Sequence, residues 1–359
     1  MSGSARGNGG RGEGGPATKV EKVTLKHGAG GGAMRELVEE TLAAGFLDDR
    51  EDEVGLSAMD DGAAFRLPDG RWLVLTTDSH VIHPYRFPGG DIGRLAVAGT
   101  VNDLAMMGAT EPLGLTSSVI VEEGLPRSEL EEIQASMREA CRQAETRVVT
   151  GDTKVMGRGE VDGIVINTTG VGFADPLVRD SGLRPGDRVL LTGEIGDHGI
   201  ALMALRHELD LRGDLMSDVA PINGLVRRAL AAAEGGVTAL KDPTRGGVAS
   251  ALHEMAGKAG VSVVVDERAV PVSDVVRSAA EMLGLDPFHI ANEGKALVGV
   301  RPEAADAVLE ALRRGDPAGE RAAIIGEVRE DHPGRVVLDT GIGRRLVTEP
   351  QGEPLPRIC

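Results

Sequence analysis

Four short acidic stretches stand beside small residues: Asp60-Asp61-Gly62, Thr77-Asp78-Ser79, Asn102-Asp103 and Gly151-Asp152-Thr153-Lys154. Carboxylates are hard oxygen ligands, and Mg²⁺ is commonly bridged by them to nucleotide phosphates. Taken singly, each aspartate reads as a turn or cap residue. Their recurrence in one small-residue context is what points to a metal and phosphate site. The run from His27 to Gly32 (HGAGGG) lies between a strand-like and a helix-like segment. Its backbone N–H groups can hold phosphate oxygens, with Gly28, Gly30 and Gly31 as the closest candidates, or the run is a flexible hinge. Asp242-Pro243-Thr244-Arg245-Gly246-Gly247 offers a guanidinium that can fork onto phosphate, or is an Asp-Pro turn opening a helix.

Two further groups could move protons or form a covalent bond. Asn292-Glu293-Gly294-Lys295 places a carboxylate near a lysine, which suits general base work or a surface turn. Cys359 is the last residue, and its thiolate would be a nucleophile favoured by nearby Arg357. Cys141 falls on the apolar side of a helix with Ile133 and Met137 and reads as core. His80 and His83 are three apart, but no Cys/His cluster accompanies them, so zinc is set aside.

These residues need a scaffold. At about 150 residues per domain, 359 residues suggest two domains. Aromatics make up 2%, so the core is aliphatic and base stacking on aromatic side chains is disfavoured. A net charge of -17 repels nucleic acid and anionic membranes. No apolar run is long enough to span a bilayer, and no signal-peptide pattern is visible. Two cysteines make no disulfide framework, which places the chain in a reducing, cytoplasmic setting.

Hydrophobic periodicity predicts strands at 20–25, 72–77 and 161–173, with helices over 33–44, 91–107 and 128–144. Ser128 and Glu131 have capping-box spacing. After breakers at 175–187, strands are expected at 189–192, 261–266, 296–300, 323–328 and 336–339. Helices are expected over 198–209, 222–233, 247–259, 272–283 and 303–313. The fold class is therefore α/β or α+β. The expected division is a Gly-rich disordered extension (1–19), an N-terminal domain (20–178), a C-terminal domain (179–340) and a mobile tail (341–359). At ~3.1 Å per residue in an extended form, that tail could reach roughly 60 Å.

Together the segments resemble the HypE family of hydrogenase maturation factors. The stretches that carry the resemblance are HGAGGGAM, TTDSHVIHP, FPGGDIGRLAVAGTVNDLAMMGA, GDTKV, DGIVINTTGVG, GDHGIALM, DPTRGGVA, EMLGLDPFHIANEGK, IIGEV and the terminal PRIC. The first nineteen residues are additional, and 344–351 departs from the family's tail. The resemblance implies a two-domain fold of the aminoimidazole-ribonucleotide-synthetase-like (PurM-like) superfamily. Its N-terminal domain forms a dimeric sheet or barrel, beside a C-terminal α/β domain. It implies a homodimer that binds ATP and Mg²⁺ and dehydrates a carboxamide on Cys359 to a thiocyanate. HypF would load the carbamoyl group, and the HypC–HypD complex would accept the cyano group for iron. Asp61, Asp78, Asp103 and Asp152 match the superfamily's Mg²⁺–nucleotide aspartates, with Asp242 a further metal-side candidate. Asn102 and Thr153 belong to the same nucleotide motifs. Glu293 and Lys154 match the pair that takes protons from the carboxamide.

Two other readings remain open on the residues alone. A selenophosphate synthetase or thiamine-phosphate kinase would not need the last four residues. A non-catalytic acidic scaffold would not bind Mg-ATP.

Overall fold

The computed structural model describes residues 22–28, 30–47, 50–209, 215–349 and 357–359. Its first half contains α1 (Gly31–Leu37), β1 (Glu53–Val54), β2 (Ala63–Arg66), β3 (Trp72–His80), β4 (Arg86–Phe87), β5 (Gly90–Asp91), α2 (Ile92–Met106), β6 (Pro112–Glu122), α3 (Arg127–Gln143), β7 (Val148–Met156) and β8 (Ile164–Ala174). Six of these strands form one sheet in the order β1-β2-β3-β8-β6-β7. β8 alternates strictly between buried and half-buried residues, so one face of the sheet is covered and the other is open. Helix α2 supplies the cover. It is buried on nearly every side, as expected for a helix apolar all round. Its small residues allow that depth: a Cβ on Gly93 would lie 2.4 Å from the Ile133 carbonyl oxygen of α3. Trp72 opens β3 and lies half-buried, with the Arg66 guanidinium 5.9 Å from its ring centroid.

The second half adds β9 (Arg188–Leu191), α4 (Asp197–Arg206), α5 (Asn223–Ala233), β10 (Val237–Lys241), α6 (Gly247–Ala259), β11 (Ser262–Asp266), α7 (Asp274–Leu283), β12 (Leu297–Val300), α8 (Ala305–Arg313), β13 (Ala323–Arg329), β14 (Val336–Asp339) and β15 (Arg344–Leu346). These strands form a seven-stranded sheet, β10-β12-β9-β13-β11-β14-β15. Ala105 and Met106 at the end of α2 share an apolar cluster with α5, α8 and the second sheet. The two halves therefore meet across α2, and the site residues collect around that contact.

The structure departs from the sequence reading in several places. Lys22–Thr24 is irregular and a 3-10 turn follows at Leu25–Gly28, where a strand was expected. Residues 1–21, including most of the expected extension, lie outside the described residues. α3 starts at Arg127 after Pro126 with no side-chain cap, so Ser128 sits inside the first turn and no capping box forms. β1, β2, β4, β5, β6, β7 and β10 were not anticipated. Nor does the tail begin at 341: β15 pairs antiparallel with β14, and Val347 is buried.

Candidate functional site

The site grows from the end of β3 that faces α2. Register pairs Asp78 with Thr168, which is buried and bonds the Ala96 carbonyl of α2, so Asp78 belongs to the covered face. Thr76 and His80 share that face and are buried. The Thr76 hydroxyl lies 2.9 Å from the Asp61 carbonyl oxygen and 3.0 Å from Asp103 Oδ2. The hydroxyl is the donor to both acceptors, which share its one proton. Burial pushes the Asp103 carboxyl well above the usual carboxylate range, and Asp242, Asp78 and Asp61 reinforce the effect. Burial also lifts Asp242 to about 7, helped by Asp61. Glu293 is raised well above its ordinary value by burial, then by Asp242, Asp218 and Asp78. Asp61, Asp78, Asp103, Asp242 and Glu293 thus form one crowded acidic group.

Cations meet this group from the second half. Lys241 pairs with Asp61 and lies 3.4 Å from Glu254. Burial alone would lower its pKa, but Asp61, Glu254, Asp180 and Asp242 outweigh that and raise it. Arg245 helps oppose the rise at Glu293 and works with burial to keep His80 low. The glycine loop reaches the same place. Gly30 has φ +79°, and a Cβ there would stand 3.1 Å from the Arg245 carbonyl oxygen, so only glycine permits this approach. Gly31 is buried and Gly28 exposed, while Ala29 between them lies outside the described residues.

The donor set fits Mg²⁺. Asp61 Oδ2 and Glu293 Oε1 are buried with no hydrogen-bond partner, and the carboxylates outnumber the nearby cations. Among the described residues no three acidic, His or Cys side chains form a ready-made metal cage. Mg²⁺ ordinarily takes one or two carboxylates and completes its shell with waters and substrate phosphates, so an open acidic group suits it.

Glu293 is held by its own segment. Asp218 Oδ1 accepts the Glu293 N–H at 3.0 Å, and Lys295 lies 3.1 Å from Asp218. Asn102 was expected at the nucleotide. Its amide donates to the Ala220 and Glu293 carbonyls and accepts from Ile222 N–H, so it ties α2 to the two loops beside Glu293. A Cβ on Gly294 would lie 2.0 Å from the Asp218 carbonyl oxygen. Gly294→Ala is therefore expected to cost about 1–3 kcal/mol, read by urea unfolding, because backbone has to move.

Asp152, Thr153 and Lys154 are not part of this group within one chain. Asp152 lies in register with Ser118, Asn167 and Ser79, one per strand across the sheet. That places it three strands from β3, about 14 Å at the usual spacing. Alternation puts Asp152 and Lys154 on the open face, paired with each other and exposed, while Thr153 points the other way at the sheet's edge.

Cys359 is neither extended nor remote. Val81 N–H donates to the Cys359 carbonyl at 3.0 Å and His83 N–H to the Arg357 carbonyl at 3.3 Å, in strand-like antiparallel fashion. Ile358 is buried in the apolar cluster that contains Leu202, Val219 and Ala291. The tip therefore rests at the end of the strand carrying Asp78 and His80. It shares its cluster with a residue two before Glu293. Burying one Ile contributes roughly 1.5–3 kcal/mol, enough to dock a tail and little enough to release it. Lys241 and Asp218, which meet the acidic group, were not singled out from the sequence, and His80 drew only the zinc reading that was set aside. Only the burial of charged and imidazole groups marks them, and burial is not visible in sequence.

Two family models match in order: AIR synthase related protein, N-terminal domain, over residues 59–174, and its C-terminal domain over residues 184–339. The carbamoyl dehydratase HypE of Azotobacter vinelandii is 48% identical, covering 94% of this chain and 97% of the relative. That of Escherichia coli is 42% identical over 95% of this chain and all of the relative. A crystal structure of a HypE–HypF complex superposes with TM-score 0.80 at 44% identity, covering 88% of this chain and 99% of the other. One of HypE with ATP gives 0.77 at 42% identity, covering 94% of this chain and 100% of the other. A thiamine monophosphate kinase at 21% identity and TM-score 0.59 shares the fold alone, covering 84% of this chain and 95% of the other. With both domains matched in sequence order and full-length relatives at this identity, the chain belongs to the carbamoyl dehydratase HypE family.

Proposed function

We infer that the chain is an ATP-dependent dehydratase that converts a carboxamide on its own Cys359 into a thiocyanate for hydrogenase maturation. The observation that carries this reading is the docked tip, which holds the terminal cysteine at the end of the strand that carries Asp78 and His80, in one apolar cluster with Ala291, two residues before Glu293. A carboxamide oxygen is a poor leaving group. Transfer of the γ-phosphoryl group to that oxygen makes it a good one, with ADP released. Loss of both N–H protons and departure of phosphate then leaves S–C≡N. The sum is carboxamide plus ATP giving thiocyanate, ADP, phosphate and one proton. In its ionised form, which Arg245 favours, Glu293 takes a proton from the carboxamide nitrogen. Asp61, Asp78, Asp103 and Asp242 would hold Mg²⁺, which neutralises phosphate charge when bound. Arg245 and the loop at Gly30 and Gly31, which approach one another, would hold the phosphates.

The carbamoyl donor is HypF, supported by the HypE–HypF complex solved for a relative. The HypC–HypD pair takes the cyano group. The chain works as a homodimer in the cytoplasm. No described helix is long and apolar enough to cross a membrane. The open face of the six-stranded sheet carries Phe65, Leu73, Leu75, Val171 and Phe173 in adjacent register, and β7 leaves a strand edge exposed. Pairing two copies through this face covers the apolar group. It also places Asp152 and Lys154, which lie on that face, at the interface with the partner copy.

Calorimetry with Mg-ATP tests the nucleotide site. Asp103→Asn is expected to lose at least about tenfold in affinity, by analogy with the 10–100-fold effect of disturbing a metal's supporting groups. Equal binding by both proteins would defeat the assignment, and no binding by the wild type would favour a scaffold. Removal of the last four residues separates the alternatives: a small-molecule kinase retains activity, whereas this dehydratase loses it.

A further inference from the structure

A directional hydrogen-bond chain ends on the tail. His198, at the start of α4, is fully buried. Its Nε2 lies 2.8 Å from the Ile358 carbonyl oxygen, and its Nδ1 lies 2.7 Å from Ser217 Oγ. Ser217 Oγ in turn accepts Val219 N–H at 3.1 Å. A carbonyl only accepts, so Nε2 carries the proton and donates to Ile358. Nδ1 must then accept from the Ser217 hydroxyl. The tautomer is fixed from both ends, and the Phe87 ring packs edge-on against the imidazole at 5.4 Å. Arg206, at the other end of α4, donates to the Arg357 and His83 carbonyls, both at 2.6 Å. The residue after Ser217 is Asp218, which accepts the Glu293 N–H. One dipeptide therefore touches both the holder of the tail and the holder of the base.

We propose that His198 is a positioning residue that seats the reactive tail through Nε2, and that Ser217–Asp218 sets the seat in register with Glu293. The first part stands on the docking geometry. The second part rests on the dehydratase reading above. The seat presents the Cys359 group to the base in one orientation, and α4 must let go of Ile358 before the tail can visit another protein.

Two substitutions of similar size separate the roles of the two ring nitrogens. Gln places a donor where Nε2 stood, whereas Asn reaches only as far as Nδ1. In the full-length chain, His198→Asn is expected to speed amide exchange at Val81 and His83 roughly tenfold, the effect of losing one buried hydrogen bond. It should slow single-turnover loss of water from the carbamoylated chain by a similar factor and leave Mg-ATP affinity unchanged. His198→Gln should stay close to the wild type in both. Ser217→Ala, a milder change if the Asn variant fails to fold, should give several-fold faster exchange at the same two amides. Unaltered exchange in Ser217→Ala and in a folded Asn variant would overturn the seat, as would a Gln variant as open as Asn. Faster exchange with an undiminished dehydration rate would overturn the registration of tail and base. If Glu293→Gln kept its dehydration rate while His198→Asn opened the tail, the base assignment would fall and the seat would stand.

Discussion

A Cys359→Ala chain should fold, bind Mg-ATP and never acquire a carbamoyl group. Intact-mass analysis after incubation with the loading enzyme, carbamoyl phosphate and ATP should show the gain of a carbamoyl group and then the loss of one water in the wild type. Neither should occur in the variant. The loss is expected to be complete because no other thiol can stand in. Cys141 is buried in α3, and burial pushes its thiol upward, away from the nucleophilic thiolate. The tip's docking leans on the backbone of Arg357 and Cys359 and on the Ile358 side chain, none of which the substitution removes. The fold and the nucleotide site should therefore be untouched. Full support of hydrogenase maturation by the alanine chain would remove the basis of the functional reading.

Glu293→Gln carries the second large effect. A general base typically contributes about 10²–10⁴-fold, so single-turnover dehydration should fall by that factor with Mg-ATP affinity retained. The variant should also be the more stable protein at neutral pH. Burial holds the folded pKa of Glu293 above its unfolded value, so in the interval between the two the folded state binds a proton that the unfolded state has released, and above it ionisation costs more in the folded state. Wild-type stability therefore declines as pH rises past the ordinary glutamate range, and the amide removes that decline. Urea unfolding at two pH values, one on each side of that range, checks the sign. A variant less stable than the wild type at neutral pH would mean that Glu293 is held ionised by its surroundings. That would contradict the crowding with Asp242, Asp218 and Asp78.

Much of the scaffold was legible because its periodicities are strong. The aliphatic run of β8 and the amphipathic face of α3 both sit where the pattern placed them. β7 was hidden by Gly151, whose Gly-Asp step reads as a turn. Its real cause is close packing, since a Cβ there would lie 2.3 Å from the Ser117 carbonyl oxygen. β15 was hidden because it is an exposed edge strand beginning with two arginines, and such edges carry no buried face to imprint a pattern. The acidic motifs announced Asp61, Asp78, Asp103 and Asp242, which the fold gathers from both halves. They could not reveal that Asp152 faces the other side of the sheet, because that depends on the strand order. Asn102 carries a role that its motif does not reveal, since its amide serves three backbone groups that join α2 to two loops.

The half-buried indole at the start of β3 has an experimental use. Trp72 is the only tryptophan, Tyr85 the only tyrosine, and both fall in the first half. Indole emission therefore reports on the six-stranded layer alone, while the seven-stranded layer is optically silent at those wavelengths. Far-ultraviolet dichroism sees both. Any gap between the two melting midpoints would measure how independently the layers come apart, with no dye or engineered label.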